Sequence, residues 1–240
     1  MYPKIMKTHS QSGNVLFYIL IAVALLGGLS YAVSQSGRTG SAKGIQDDQA
    51  QLLASELLEY SDAISIAVSQ LKLRGIDEDE LCFDHPNWGA ADYDHSPACT
   101  DDFNKIFHIS GGGINWTNAP EMAMDLSATP DNLFHIYGDN EIEGVGTTCG
   151  AAGCSDLVLY VDELDDLVCQ KLNTLLSITA SDETPPTDAE ISETRYVGSF
   201  AYNQTIGDEA GGAILEGQNA GCFQNLDNGE YVFYKVLLAR

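Results

Sequence analysis

The residues most suited to chemistry are histidines and carboxylates that follow the first cysteine. Imidazole and carboxylate groups are common ligands of divalent metals. Six of them lie within or just beyond the stretch between Cys82 and Cys99: His85, Asp92, Asp94, His95, Asp101 and Asp102. Their spacing fits no established metal site, and polar residues are expected in an exposed loop. We therefore assign no metal ligand and no cofactor from the sequence.

A second acidic segment begins like a calcium-binding EF-hand loop, with Asp139, Glu141, Glu143 and Gly144. The twelfth position of that loop is Gly150, where calcium requires a bidentate glutamate. The sequence also lacks the G-x-S-x-G motif of serine hydrolases and any glycine-rich phosphate loop that ends in lysine. The sequence thus predicts no catalytic residues, and we expect that the protein is not an enzyme.

Charge is distributed unevenly along the chain. The formal net charge is −24, and all 35 acidic residues lie from Asp47 onward. A domain this acidic repels phosphate backbones and anionic lipid surfaces, so we expect no nucleic-acid partner. The main consequence that we expect from the acidity is solubility.

An even number of cysteines indicates disulfide bonds and an oxidising, periplasmic or extracellular compartment. Proximity favours three pairs, although the sequence leaves other pairings open: Cys82–Cys99, Cys149–Cys154 and, by elimination, Cys169–Cys222.

The elements that carry these residues begin with an apolar run from Val15 to Val33. At 1.5 Å per residue this run spans roughly 28 Å, the thickness of a bilayer's hydrocarbon core. It predicts a transmembrane helix; a cleaved secretory signal is the alternative. Because every cysteine follows the run, we place the N-terminus in the cytoplasm and the remainder on the far side of the membrane.

An amphipathic helix is predicted after a Gly/Ser-rich break. Its apolar positions repeat every three or four residues, which is typical of one buried helix face: Leu53, Leu57, Tyr60, Ile64, Ala67 and Leu71. Asp162 resembles the N-cap of a second helix, with Asp165 at the third helical position as in a capping box, and this helix continues to Leu175. Residues 157–161, 195–202 and 231–238 predict strands.

This layout resembles the type IV pilins and type II secretion pseudopilins. A short basic leader ends at Gly13, an apolar helix follows at once, and a disulfide-closed head completes the chain. The resemblance implies cleavage between Gly13 and Asn14 by a prepilin peptidase, N-methylation, and packing of the apolar helices into a filament. The implied assembly helix includes Leu16, Phe17, Tyr18, Leu20, Leu25, Gly27 and Gly28. Two positions depart from the family pattern: Asn14 replaces the usual Phe or Met, and Tyr18 the usual Glu.

These observations together predict an α+β fold, in which a long N-terminal hydrophobic helix continues into an amphipathic helix packed on a small disulfide-linked antiparallel-sheet head. The predicted segments are a leader (1–13), a transmembrane or assembly helix (14–35), a Gly/Ser break (36–46), an amphipathic helix (47–75) and an acidic globular head (76–240).

The predicted function is that of a structural subunit of a pilus-like or secretion-associated envelope filament. Its expected partners are other copies of itself or pilin-like subunits, with the inner membrane as its location before assembly. Once it is in a filament, the protein would be extracellular. The alternative is a permanently membrane-anchored periplasmic module that binds a metal, a glycan or a protein.

Overall fold

A computed structural model of the chain describes residues 17–27, 41–84, 98–127, 130–178, 184–189 and 191–240. The chain divides into two compact units, Met1–Asp48 and Gln49–Arg240. The described helices are α1 (residues 17–27), α2 (Ser41–Leu73) and α3 (Asp166–Leu175). Helix α2 therefore begins inside the segment that was predicted as a break.

Helix α1 overturns the prediction of a long hydrophobic N-terminal helix. Its eleven residues span roughly 16 Å at 1.5 Å per residue, about half of a bilayer's hydrocarbon core. Among the helices in the described ranges, none combines the length and the apolarity that crossing a membrane requires. The predictions of an inner-membrane location and of a pilin-like fold are therefore wrong.

The predicted assembly residues fall on both sides of the boundary of what the structure describes. Helix α1 contains Phe17, Tyr18, Leu20, Leu25 and Gly27. Leu16, Gly28 and the predicted processing site at Gly13 and Asn14 lie outside the described residues.

The larger unit is built on one six-stranded sheet. Its strands are β1 (His135–Ile142), β2 (Asp156–Leu164), β3 (Thr187–Asp188), β4 (Gln204–Ile206), β5 (Ala220–Asn225) and β6 (Tyr231–Leu238), in the order β3-β5-β6-β2-β1-β4. The four central strands pair antiparallel, whereas β1–β4 and β3–β5 are parallel. The predicted antiparallel sheet is wrong at both edges, because long connections rather than hairpins lead into β3 and β4.

Both faces of the sheet are buried, and this explains why the strands alternate only partly between apolar and polar residues. In β2, Leu157, Leu159 and Val161 pack in the cluster that includes α2, whereas Val158 and Tyr160 belong to the cluster on the opposite face. A strand that is covered on both sides reads as a nearly continuous apolar run.

Helix α2 packs through the face that the sequence predicted. Leu57, Ile64, Ala67 and Leu71 are fully buried in the core. Above this face, the Asp62 carboxylate lies 2.6 Å from the Lys235 ammonium group on β6. The polar residue within the apolar sequence of β6 thus binds the helix that covers that strand.

The three disulfides are the pairs that proximity favours: Cys82–Cys99, Cys149–Cys154 and Cys169–Cys222. They confirm the prediction of disulfide bonds and indicate an oxidising, extracellular or periplasmic environment. Cys169–Cys222 joins α3 to β5. Beside it, the Asn173 side chain donates to the Cys222 carbonyl oxygen at 2.7 Å and accepts from the Cys222 N–H at 2.9 Å.

Candidate metal site

The segment rich in histidine and carboxylate residues that follows Cys82 does not form a site in its described part. Asp101 accepts a hydrogen bond from the Phe103 N–H at 2.9 Å. The Asp102 carboxylate lies 2.8 Å from the Lys105 ammonium group and 3.6 Å from His108 Nε2. His85, Asp92, Asp94 and His95 lie outside the described residues.

The segment that begins like an EF-hand loop has structural roles in the sheet. Asp139 accepts hydrogen bonds from the side chains of Ser192 and Asn203. The buried Glu141 carboxylate instead accepts from the N–H groups of Cys149 and Gly150, and so holds the loop between β1 and β2. These two carboxylates have different partners and do not converge on a common point.

A different cluster brings together three potential metal ligands: Asp131, His135 and Asp162. One ligand atom from each residue lies within 4.8 Å of the other two. His135 Nε2 is 3.1 Å from Asp131 Oδ2 and 3.8 Å from Asp162 Oδ1. The His135 side chain is only 7% exposed, whereas the Asp131 side chain is 50% exposed, so the cluster opens to solvent on one side.

Strand pairing places His135 and Asp162 beside each other. His135 opposes Tyr160 in the β1–β2 ladder, and Asp162 follows two residues later on the same face of β2. Diagonal neighbours of this kind lie within reach of long side chains. The His135 ring also stacks on Tyr137, with a centroid separation of 5.8 Å, and this contact limits its rotation.

Asp131 is positioned by a turn in front of β1. Asn132 has a φ of 47°, which an asparagine tolerates better than most residues, and its side chain donates to the Ala119 carbonyl oxygen at 3.1 Å. Asp131 Oδ1 accepts from the Leu133 N–H at 2.9 Å. Both carboxylate oxygens of Asp131 also face His135, with Oδ1 at 3.3 Å and Oδ2 at 3.1 Å from His135 Nε2.

The three residues shift one another's protonation. Burial alone would lower the pKa of His135, but the hydrogen bond that His135 donates to Asp131 and the negative charge of Asp162 raise it above its ordinary value. Burial opposes ionisation of Asp131, yet the contacts with His135 keep the pKa of that carboxyl below its ordinary value. Burial raises the pKa of Asp162 despite the positive charge of His135.

The sequence did not predict this cluster because its three residues form no recognisable motif along the chain. Asp131 and His135 are four residues apart at a loop–strand junction, and Asp162 follows 27 residues later. A usable signal existed in the polar pair Asp162–Glu163 that ends the apolar run of β2. Connecting it to His135 requires the register of β1 against β2, which the sequence does not specify.

Comparisons with known proteins supply no assignment for this arrangement. No protein-family model, no curated protein and no solved structure matches the chain.

Proposed function

We propose that the larger unit is a divalent-metal-binding domain that acts in an oxidising compartment, with Asp131, His135 and Asp162 as its ligands. The single observation that carries this proposal is the convergence of one imidazole and two carboxylates within 4.8 Å. This proposal keeps the binding-module alternative from the sequence but drops its membrane anchor.

The ligand chemistry favours a zinc-like ion. Imidazole suits zinc, copper and nickel, whereas calcium and magnesium are bound almost entirely through oxygen. Three protein ligands leave further positions for water or for a group from a partner, as in many open zinc sites. The two carboxylates would balance the charge of a divalent ion.

The charged residues around the cluster have opposite effects on a bound cation, because some are carboxylates and one is a guanidinium. Burial raises the pKa values of Glu163 and Glu230, and the negative charge of Asp162 adds to both shifts. Arg195 lowers the pKa of both Asp131 and His135, so its positive charge also acts on the site. We expect that a bound cation competes with this guanidinium, and therefore that affinity is moderate.

The test is a zinc titration of the full chain at pH 7.5 by isothermal calorimetry, with bound zinc measured by mass spectrometry after dialysis. The wild type should bind one equivalent, and His135→Gln should lose at least about tenfold in affinity because a ligand is removed. His108→Gln is a matched control, since His108 contacts the single carboxylate of Asp102 and is more exposed. Absence of stoichiometric zinc in the wild type, or equal losses in both variants, would contradict the proposal.

A second candidate function is self-assembly through α1. Its large apolar side chains are exposed, with Leu20 at 64%, Leu25 at 69% and Phe17 at 62%. Exposed apolar surface of this extent marks interaction sites in proteins. We propose that α1 packs against α1 of a second copy, which retains the filament-subunit prediction only as homo-oligomerisation.

Light scattering coupled to size-exclusion chromatography tests this second function. The wild type should form oligomers, and the double variant Leu20→Glu/Leu25→Glu should be monomeric because buried glutamates are costly. Leu73→Glu is the control, since Leu73 is an exposed leucine on α2. A monomeric wild type, or an oligomer that survives the double variant, would exclude assembly through α1.

A further inference from the structure

The disulfide Cys149–Cys154 closes the loop between β1 and β2, and it differs from the other disulfides in access. Cys149 is exposed, and so are Ala151, Ala152 and Gly153 inside the closed loop. Cys169 and Cys222, in contrast, are fully buried. Thiol–disulfide exchange requires an in-line approach to a sulfur atom, so access decides which disulfide reacts first.

The loop that this disulfide closes also binds Arg240. The Arg240 guanidinium donates to the Ala152 carbonyl oxygen at 3.1 Å and to the Ser155 carbonyl oxygen at 3.4 Å. It also lies 2.9 Å from Glu78 Oε2 and 3.8 Å from the ring centroid of Phe200. One cation thus joins the β1–β2 loop to the turn that follows α2.

The main chain of Arg240 strengthens the same connection. Its N–H donates to Asp156 Oδ1 at 2.9 Å, and its carbonyl oxygen accepts from the Thr147 N–H at 2.5 Å. We call the contacts of Arg240 with Glu78, Thr147, Ala152 and Asp156 the Arg240 clasp. Ala152 lies inside the ring that the Cys149–Cys154 bond closes, and Thr147 lies two positions before that ring.

We propose that Cys149–Cys154 is a thiol-exchange site, at which an external thiol opens the loop and loosens the Arg240 clasp. The Cys149 sulfur is the atom that is attacked, because residue Cys149 is exposed whereas Cys154 is only 7% exposed. Glu141 holds the main chain of Cys149 and Gly150 during this reaction through its two accepted hydrogen bonds. The co-reactant is a small-molecule thiol or a protein dithiol.

The exchange proceeds in two balanced steps. The external thiolate forms a bond to Cys149 Sγ, the Cys149–Cys154 bond breaks, and its electron pair leaves on Cys154 Sγ, which takes up a proton. A second thiolate attacks the external sulfur of the mixed disulfide and releases Cys149 as a thiolate. In total, two external thiols are oxidised to one disulfide, and the protein disulfide is reduced to two cysteines.

Differential alkylation tests where exchange occurs. The folded full chain is incubated with reduced glutathione, alkylated with N-ethylmaleimide at successive times, and mapped by peptide mass spectrometry. Cys149 and Cys154 should be labelled at least about tenfold faster than Cys169 and Cys222, because reactivity follows thiol access. Equal protection of both pairs, or faster labelling of Cys82 and Cys99, would overturn the proposal.

Hydrogen exchange tests the link to the clasp. Cys149→Ser/Cys154→Ser should raise amide exchange severalfold over residues 147–156 and over Glu78–Glu80, and leave α3 unchanged. Arg240→Ala should reproduce the change at Glu78–Glu80 without changing which cysteines react first. Wild-type exchange at Glu78–Glu80 in the cysteine variant would show that the disulfide does not control the clasp.

Discussion

Asp188 is a carboxylate that the fold buries with only part of its hydrogen-bonding capacity used. It is fully buried, and its Oδ2 accepts from the Gly207 N–H at 2.8 Å. Its Oδ1 has no hydrogen-bond partner among the described residues. Gly212 approaches so closely that a Cβ there would lie 2.0 Å from Asp188 Oδ2, so only glycine fits. Burial, reinforced by the charges of Asp208 and Glu209, raises the pKa of Asp188 to about 6.

Because the pKa of Asp188 is higher in the folded protein, ionisation of this carboxyl lowers the free energy of unfolding by an amount that depends on pH. Below the unfolded-state pKa of about 3.9, Asp188 is neutral in both the folded and the unfolded protein, so its ionisation subtracts nothing from the free energy of unfolding. As the pH rises towards 6, the unfolded state ionises first, so the stability falls and stays lower above pH 6.

Asp188→Asn should remove this cost. We expect the variant to be about 1–3 kcal/mol more stable than the wild type at pH 7.5 and nearly equal to it at pH 4, because the burial of charge matters only when the unfolded state is ionised. Urea unfolding at the two pH values measures the difference. Glu56→Gln, on an exposed side chain of α2, serves as the control. A loss of stability that is the same at both pH values would contradict the argument.

At the scale of elements, local signals were sufficient for the helices of the larger unit and insufficient for the sheet. The spacing of Leu57, Ile64 and Leu71 identified the buried face of α2, because a helix repeats within a few residues. The cap of α3 was predicted three residues too early: Asp162 was expected as the N-cap and Asp165 as the third helical residue, whereas Asp165 is the N-cap and accepts from the N–H groups of Leu167 and Val168.

The edge strands β3 and β4 were not predicted, because two or three residues carry no measurable periodicity. Residues 181–193 were interpreted as a polar loop, yet Thr187 and Asp188 pair with β5 in parallel. The cluster of Asp131, His135 and Asp162 was not predicted for a related reason. It depends on the register of β1 against β2, which is a property of two segments together. The predicted long N-terminal helix is corrected because α1, as the structure describes it, covers only residues 17–27 of the predicted 14–35.

The burial of α2 leads to a prediction with a matched control on the same helix. Ile64→Ala should destabilise the protein by about 2–5 kcal/mol, since it removes a fully buried side chain and leaves a cavity. Ile66→Ala, at a position that is 57% exposed, should cost less than about 1 kcal/mol. Urea unfolding monitored by circular dichroism compares the two. Similar losses in both variants would show that α2 packs through another face.

The cap of α3 can be tested in the same way. Asp165→Ala should cost about 1 kcal/mol, because the N–H groups of Leu167 and Val168 lose their acceptor. Asp166→Ala removes a neighbouring carboxylate that lies inside the helix, and we expect a smaller effect on the thermal midpoint. If Asp166→Ala proves the more damaging of the two, the capping role belongs to Asp166.

At the scale of the whole molecule, the disulfides differ in how much chain they enclose. Cys169–Cys222 links residues 53 positions apart, whereas Cys149–Cys154 links residues 5 positions apart. Closing a longer loop removes more entropy from the unfolded chain. The longest-range bridge should therefore contribute most to stability, and the accessible one least.

Replacing both members of each pair by alanine tests this order. Removal of Cys169–Cys222 should cost about 4 kcal/mol and removal of Cys149–Cys154 about 2 kcal/mol, by the loop-entropy relation. Chemical denaturation under non-reducing conditions measures both variants against the wild type. An equal or reversed order would mean that native contacts, and not loop length, determine the contribution of each bridge.

The position of β6 has a consequence for how the protein is made. This strand comes last among the six in chain order, yet it lies between β5 and β2 in the sheet. During synthesis on a ribosome or passage through a translocation channel, β2 and β5 cannot form their backbone hydrogen bonds to β6 until β6 has emerged. Such non-local pairing is slow. Nascent chains should therefore stay open and chaperone-dependent until β6 emerges, a state well suited to export ahead of oxidation.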